Sequence, residues 1–365
     1  VFDNVYAGRR VLVTGHTGFK GFWLTTWLLS LDAEVAGLAL DPPSEPDGFD
    51  ILGLHDHITD IRADVRDREA VARAFAEFKP EIVFHLAAQA LVRKSYADPA
   101  TTFETNAVGT MNICEAARTT ESLQALVLIT SDKCYKNVEW EFGYREPDAL
   151  GGYDPYSASK GCAEIVAASY FESFFRPEGR VMAATTRAGN VVGGGDWAQD
   201  RIVPDCARAW AAGEPVRIRS PRATRPWQHV LEPLSGYLRL GARLLAKDPA
   251  ACFEAFNFGP RAEVVQTVEE VANALSRVWS GFEANMDKAG HGGAKESTLL
   301  KLCCDKALAR LKWRAVLDFE TTMRFTAEWY RAYYQQGAQE AAALTQRQIQ
   351  EYKSRAEQEG LPWTR

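Results

Sequence analysis

The chain contains no long apolar run. No stretch of its 365 residues approaches the length of a membrane span, which argues against a helical membrane protein. It has no basic excess either: 42 Lys and Arg against 48 Asp and Glu leave a net charge of -6, giving no reason to expect nucleic acid or an anionic membrane as a partner. Cysteine is sparse. The seven are scattered, with one adjacent pair at Cys303 and Cys304, no CxxC pair and no metal-ligand cluster, so no metal is expected. Free thiols in a reducing cytoplasm are the simplest account. No secretory leader is visible at the start, and neither a repeat nor a clear linker divides the chain. What is present is 46% apolar content, enough for a substantial core and for more than one domain, and ten tryptophans, most of them expected to serve packing.

Residues 10 to 21 read RVLVTGHTGFKG. Val11 to Val13 form a short apolar run, and an amphipathic run begins at Phe19 and passes through Trp23, Leu24, Trp27 and Leu28. This pattern predicts a buried parallel strand, a tight turn and a helix. Gly15 suits a backbone angle closed to other residues, Gly18 leaves room for a pyrophosphate, and Gly21 lets the helix pack closely. The helix start offers unpaired N–H groups and the positive end of its dipole to two phosphates. A second strand, 34 to 40, ends at Asp41, an acid placed to take both ribose hydroxyls and repel a 2′-phosphate. NAD is therefore expected rather than NADP.

The rhythm of strand and helix continues. Strands are expected at 58–63, 81–86, 123–129 and 181–186, with helices at 68–78, 101–117 and 156–174. That is α/β: a Rossmann-type doubly wound parallel sheet. Beyond residue 190 the rhythm breaks, so residues 1–190 are assigned to cofactor binding. Residues 191–365 are assigned mainly to a smaller substrate domain, with room for the chain to cross back to the sheet. Helices are expected at 201–213, 231–245, 267–279, 304–311 and 319–334, and short strands at 216–219 and 255–258. The polar tail from Thr345 to Arg365 is expected to order only against a neighbour.

Small residues Ala87 and Ala88 after the 81–86 strand let a cofactor lie close to the strand ends. His85 inside that strand reads as a buried structural histidine. Asp64 either meets the adenine amino group or caps a helix, a role Asp67 can also fill. Tyr156 and Lys160 stand four apart and share a helix face. The lysine charge would lower the phenol pKa, so that tyrosinate takes a hydroxyl proton while hydride leaves the same carbon. Ser131, at a strand end, can hold that hydroxyl. Arg225 suits a diphosphate, with Arg201 and Arg219 as weaker candidates. Arg187 and Asn190 leave the sixth strand on the ligand side. His229 and Gln228 either hydrogen-bond substrate or close a domain seam, and the loop of Asp196 and Trp197 either covers a sugar or is anchored by tryptophan packing.

Taken together, Thr14-Gly15-x-x-Gly18-x-x-Gly21, His85 to Gln89, Tyr156-x-x-x-Lys160 and Arg187-x-x-Asn190 resemble an extended short-chain dehydrogenase/reductase. TGHTGFKG, TSDKCY, GGYDPYSASKG, RAGNVVGGGDWAQDR and RPWQHVLEPLSGY narrow the resemblance to the nucleotide-sugar 4,6-dehydratases, and within them to the CDP-glucose branch; they cover residue 10 to about 260. The resemblance implies NAD as cofactor and CDP-glucose as substrate. C4 would be oxidised, water eliminated across C5 and C6, and hydride returned to C6, the product feeding deoxysugar biosynthesis. It implies Ser131, Asp132, Lys133, Tyr156 and Lys160 as catalytic residues. Asp132 matches the acid of the dTDP-glucose relatives and would need a raised pKa. Lys133 stands where those relatives carry glutamate; it serves either as the C5 base or as an electrostatic stabiliser of the enolate. Cofactor contacts are assigned to Thr14, Gly15, Thr17, Gly18, Phe19, Asp41, Asp64, Val65, Leu86, Ala87, Ala88 and Asn106, together with Tyr156 and Lys160. Substrate contacts are assigned to Gln89, Arg187, Asn190, Arg201, Arg219, Arg225 and His229. The resemblance also implies a homodimer or dimer of dimers. The rival readings are a nucleotide-sugar 4-epimerase, which would not need the Asp132-Lys133 pair, and a catalytically silent NAD-binding regulator.

Overall fold

Val11, Leu12 and Val13 are wholly buried, and the strand they form, β1 (Arg10–Thr14), lies inside a seven-stranded sheet. The computed structural model describes residues 1–365 except 200, 217, 219, 220, 262 and 280–299. The other strands are β2 (Glu34–Ala39), β3 (Thr59–Arg62), β4 (Ile82–His85), β5 (Ala125–Ile129), β6 (Met182–Ala188) and β7 (Glu254–Phe258). Their order is β7-β6-β5-β4-β1-β2-β3, and every neighbouring pair is parallel. The winding reverses between β1 and β4. In open α/β sheets such a reversal leaves a crevice at the carboxyl ends of the strands, where ligands are held.

Alternation along the strands explains the layering. Val11 and Val13 point into one core and Leu12 into another; Ala125, Val127 and Ile129 likewise part from Leu126 and Leu128. Each face is closed by helices: α1 (Phe19–Leu29), α2 (Arg68–Phe78), α3 (Gly109–Thr119), α4 (Pro155–Tyr170), α5 (Ile202–Ala211), α6 (Leu231–Leu245), α7 (Val268–Trp279), α8 (Phe319–Gln336) and α9 (Ala338–Gln358). Strand β7 comes from beyond residue 190 and pairs with β6, and α1 and α6 contribute to the same core as α8 and α9. Among the described residues no helix is long and apolar enough to cross a membrane.

Three expectations need correction. The helix expected over 101–117 is composite: a short helix (Pro99–Phe103), a wide π turn (Glu104–Val108) and then α3. The polar tail packs on its own chain. Ala341, Thr345, Ile349, Tyr352 and Ala356 form a sparse buried stripe on α9, and Trp363 is fully buried, its ring stacked 5.1 Å from Phe2 and 5.9 Å from Tyr352. One apolar or small residue per turn suffices to bury that helix, although its average composition is polar. The strand expected at 216–219 is not formed at Val216 and Ile218, which are buried without sheet pairing; Arg219 lies outside the described residues.

Candidate active site

The turn after β1 has the geometry a phosphate cradle needs. Gly15 has φ +74°, and a Cβ there would lie 2.7 Å from the Ala87 amide nitrogen. A Cβ on Gly21 would lie 2.0 Å from the Gly15 carbonyl oxygen, so α1 can meet the turn only through glycine. Gly18 opens α1 without a side-chain cap, and the first turn holds no acid. Phe22 donates the first intrahelical bond, to Gly18 (3.0 Å), leaving the amides of Phe19, Lys20 and Gly21 ahead of it for an anion. These residues fit a dinucleotide pyrophosphate. Thr14 is a correction: its side chain bridges β1 to β4, contacting His85 Nδ1 at 2.7 Å and accepting from the Ala87 amide at 3.2 Å. The Thr17 hydroxyl donates to the Leu40 carbonyl (3.1 Å), tying the turn to the end of β2.

At that end Asp41 projects outward, its side chain 92% exposed, with Arg62 3.8 Å away. Asp64 is not the cap of α2. Asp67 is, accepting from the amides of Glu69 and Ala70 at 3.0 Å, while Asp64 grips Arg66 at 2.7 and 2.9 Å. Val65 is buried at the same edge, where its carbonyl accepts from Asn112 at 2.9 Å. Beyond β4, Leu86, Ala87 and Ala88 remain partly exposed at the crevice. Gln89 and Asn106 do not. Asn106 accepts from the Gln89 amide (2.9 Å) and donates to the Gln89 carbonyl and Ser159 Oγ (3.0 and 2.8 Å). The Gln89 carboxamide donates to Thr102 and Leu91 and accepts from the Leu91 amide. Both side chains are spent on a buried clamp that fixes the crevice floor to α4. His85 is the structural histidine expected, held between Thr14 and Thr110 and pushed down to about 3 by burial.

The residues expected to react gather where β5 meets α4. Ser131, Asp132, Tyr156 and Lys160 are each at most 7% exposed. Ser131 donates to Asp132 Oδ1 (3.0 Å) and begins a short turn, Asp132–Cys134, that also carries Lys133. Burial raises the Asp132 pKa against the opposing pull of Lys133, Ser131 and Lys20. Burial also pushes Tyr156 up to about 12; a hydrogen bond with Ser131 and the Arg201 charge draw it back, and Asp132 adds to the rise. The cation acting on the phenol is thus Arg201, not Lys160. The Lys160 ammonium faces the Ile129 carbonyl at 3.5 Å, and burial brings it down to about 8.

Several assigned binding residues turn away from the crevice. Arg187 is 3% exposed and pairs with Glu164 through two bonds of 2.9 Å, its guanidinium lying 4.8 Å from the centre of the Tyr135 ring. It is an internal brace. His229 is fully buried between the rings of Trp23 and Phe325, at 5.7 and 5.4 Å, and burial pushes its pKa down to about 3. It closes the seam. Trp197 is buried against Trp329, Tyr330 and Tyr333, so the glycine-rich loop is anchored by packing. Its Asp196 holds Arg201 at 2.7 Å. Asn190 and Arg225 remain partly exposed, and the Asn190 carbonyl accepts from the Gln228 amide at 3.1 Å.

Residues 12–326 match the family described as GDP-mannose 4,6 dehydratase. The chain belongs to that family. It is 45% identical over 355 residues to a CDP-glucose 4,6-dehydratase of Salmonella typhimurium, covering 96% of this chain and 98% of the relative. Its fold is similar to a Thermus thermophilus UDP-glucose 4-epimerase solved with NAD, with TM-score 0.72, 27% identity and coverage of 88% of this chain and 99% of that one. A Streptomyces venezuelae dTDP-glucose 4,6-dehydratase, also solved with NAD, shares the fold at TM-score 0.72, 22% identity and coverage of 91% and 99%.

In this family member the sequence reading missed two features. Lys20 has Asp132, Arg201 and Lys160 as its charged neighbours, yet it sits inside a string read only for its backbone. Gly189 leaves room for the acid, since a Cβ there would lie 3.0 Å from Asp132 Oδ2. Neither has a local sequence signal; both follow from the way β1, β5 and β6 converge.

Proposed function

We propose that this chain converts CDP-glucose to CDP-4-keto-6-deoxyglucose and water as an NAD-dependent 4,6-dehydratase. The observation that carries this is buried Asp132, held toward its protonated form beside Ser131 and Tyr156. An epimerase has use for the tyrosine but none for a buried acid. NAD, when bound, accepts hydride from C4 and returns it to C6. Tyr156 takes the C4 hydroxyl proton while Ser131 holds the oxygen in line. Arg201 supplies the positive charge that tyrosinate needs. The C4 ketone acidifies C5. Lys133 takes the C5 proton, and the C5–C6 double bond forms as the C6–O bond breaks. Asp132 gives its proton to that oxygen, which leaves as water. The ammonium of Lys133 then returns a proton to C5.

CDP-glucose is proposed as the donor on the strength of the 45% identical Salmonella relative. Residues 1–190 would hold the cofactor and 191–365 mainly the nucleotide sugar. Arg225 is assigned to the diphosphate, and Asn190 and Arg201 to the sugar end. Exposed Val108, Ile165 and Phe174, at 41%, 62% and 40%, support a homodimer built on the helical segments 101–117 and 156–174. The seven free cysteines fit a reducing cytoplasm.

The test is to supply CDP-glucose, dTDP-glucose, UDP-glucose and GDP-mannose separately and weigh the products. Loss of one water from CDP-glucose without net NADH is expected. An unchanged mass with C4 inverted would move the assignment to epimerase, and no turnover of any donor would favour a silent NAD-binding protein.

A further inference from the structure

The acid expected at the adenosine ribose has a cation beside it. Strands β2 and β3 run parallel, with Ala39 opposite Arg62, so both end at the same edge of the sheet. There Arg62 Nη1 lies 3.8 Å from Asp41 Oδ1. The guanidinium is held on three sides. Its Nε and Nη2 donate to Asp60 Oδ2 at 3.2 and 2.8 Å, its Nη1 donates to the Leu40 carbonyl at 3.2 Å, and its centre lies 5.1 Å from that of the Phe49 ring. Asp60 is held in turn by the glycine turn, where His16 Nε2 lies 2.9 Å from Asp60 Oδ1. His16 is wholly buried and meets Phe49 edge-on at 5.1 Å, and a Cβ on Gly37 would lie 2.2 Å from its ring. The turn, β2 and β3 thus fix one cation beside an acid that stands in solvent.

We propose that Arg62 is a specificity-determining residue of the dinucleotide site, offering a 2′-phosphate the positive charge that Asp41 denies it, so that the site takes NADP as a second, weaker ligand beside NAD. This rests on the reading of Asp41 as the ribose acid. An acid at the end of the second strand selects NAD, whereas an arginine nearby accommodates the 2′-phosphate of NADP. Here both are present, and their freedom to move differs. Asp41, 92% exposed, can turn into solvent; Arg62, 34% exposed, is tied to Asp60 and Leu40. A guanidinium carries five N–H donors, and three are used in those bonds. One N–H remains on each terminal nitrogen, the pair that a phosphate takes in a charge-assisted fork. NAD has no 2′-phosphate and so makes no demand on Arg62. It keeps the stronger binding because Asp41 can still take both ribose hydroxyls.

The test is calorimetric titration of the full chain with NAD and with NADP, comparing wild type with Arg62→Leu, Arg62→Lys and Asp41→Ala. Wild type should bind both, NAD more tightly. Arg62→Leu should weaken NADP by about tenfold or more and leave NAD within about twofold, which also shows that the variant is folded. Arg62→Lys keeps the charge without the fork, and its NADP affinity should fall between those of wild type and Arg62→Leu. Asp41→Ala should weaken NAD and strengthen NADP. The inference is overturned if wild type does not bind NADP, or if Arg62→Leu leaves the ratio of the two affinities unchanged. It is overturned equally if NAD and NADP weaken together in both Arg62 variants, which would make Arg62 a brace for the strand ends. An Asp41→Ala variant with both affinities unchanged would place the ribose elsewhere, overturning the assignment of Asp41 and this inference with it.

Discussion

Tyr156 and Asp132 lie in one water-poor pocket, and burial pushes both toward their protonated forms. In the proposed cycle the two need opposite help: the phenol must lose its proton to begin it, and the carboxyl must keep its own until water leaves. Tyr156→Phe should reduce NAD reduction by CDP-glucose about 10²- to 10⁴-fold, read as the initial NADH burst. Asp132→Asn should keep the burst and lose the dehydrated product, read by mass spectrometry of quenched samples. The place of the proposed reactive residues was legible because each sits at a predictable point of the fold: Ser131 to Lys133 at a strand end, Tyr156 and Lys160 one turn apart on a helix. Arg187 and His229 were misread for a related reason. A polar residue leaving a strand can point to the crevice or to the core, and spacing alone does not choose. The choice was made by Glu164, whose carboxylate claims Arg187, and by Trp23 and Phe325, whose rings enclose His229.

At the scale of elements, helix α4, which carries Tyr156 and Lys160, is fixed to the sheet by Glu164, one turn beyond Lys160. It accepts from Thr130 on the strand end of β5 and from Thr185 and Arg187 on β6. Removing one partner strands a buried charge, so Arg187→Met should cost about 3–5 kcal/mol in urea unfolding. Gly21→Ala should act on a different link. Its Cβ would collide with the Gly15 carbonyl and with His16 Cα at 2.7 Å, both backbone atoms that cannot swing aside. NAD affinity should fall by about tenfold or more, measured by fluorescence titration. The turn glycines were readable because only a strand-turn-helix context gives them work. The π turn at Glu104–Val108 was not, since its register depends on the Asn106 clamp made with distant Gln89 and Ser159.

For the whole molecule, the C-terminal segments are integral to the core. Glu232 on α6 accepts from the amides of Val316 and Leu317 (2.9 and 2.6 Å) and from the Tyr352 hydroxyl on α9 (2.7 Å). Burial pushes its pKa from 4.5 up to about 7 in the folded chain. The folded state therefore binds this proton more tightly than the unfolded one. Its contribution is fully present below about pH 4.5 and is lost as pH rises through about 7, a change of roughly 3 kcal/mol. Glu232→Gln can keep an acceptor toward the two amides without titrating. It should remove that part of the pH dependence, seen as a smaller difference from wild type in unfolding free energy at pH 5 than at pH 8. The doubly wound sheet could be read from alternating strands and helices, but the tail could not, because its buried stripe is visible only once α9 is laid against Trp27 and Trp363.

The central claim is an internal redox cycle coupled to loss of water. It is tested most directly with CDP-glucose carrying deuterium at C4. The account predicts a product one water lighter, with the deuterium in the C6 methyl group and no labelled NADH in solution. Deuterium remaining at C4 in a sugar of unchanged mass, or appearing in free NADH, would contradict it.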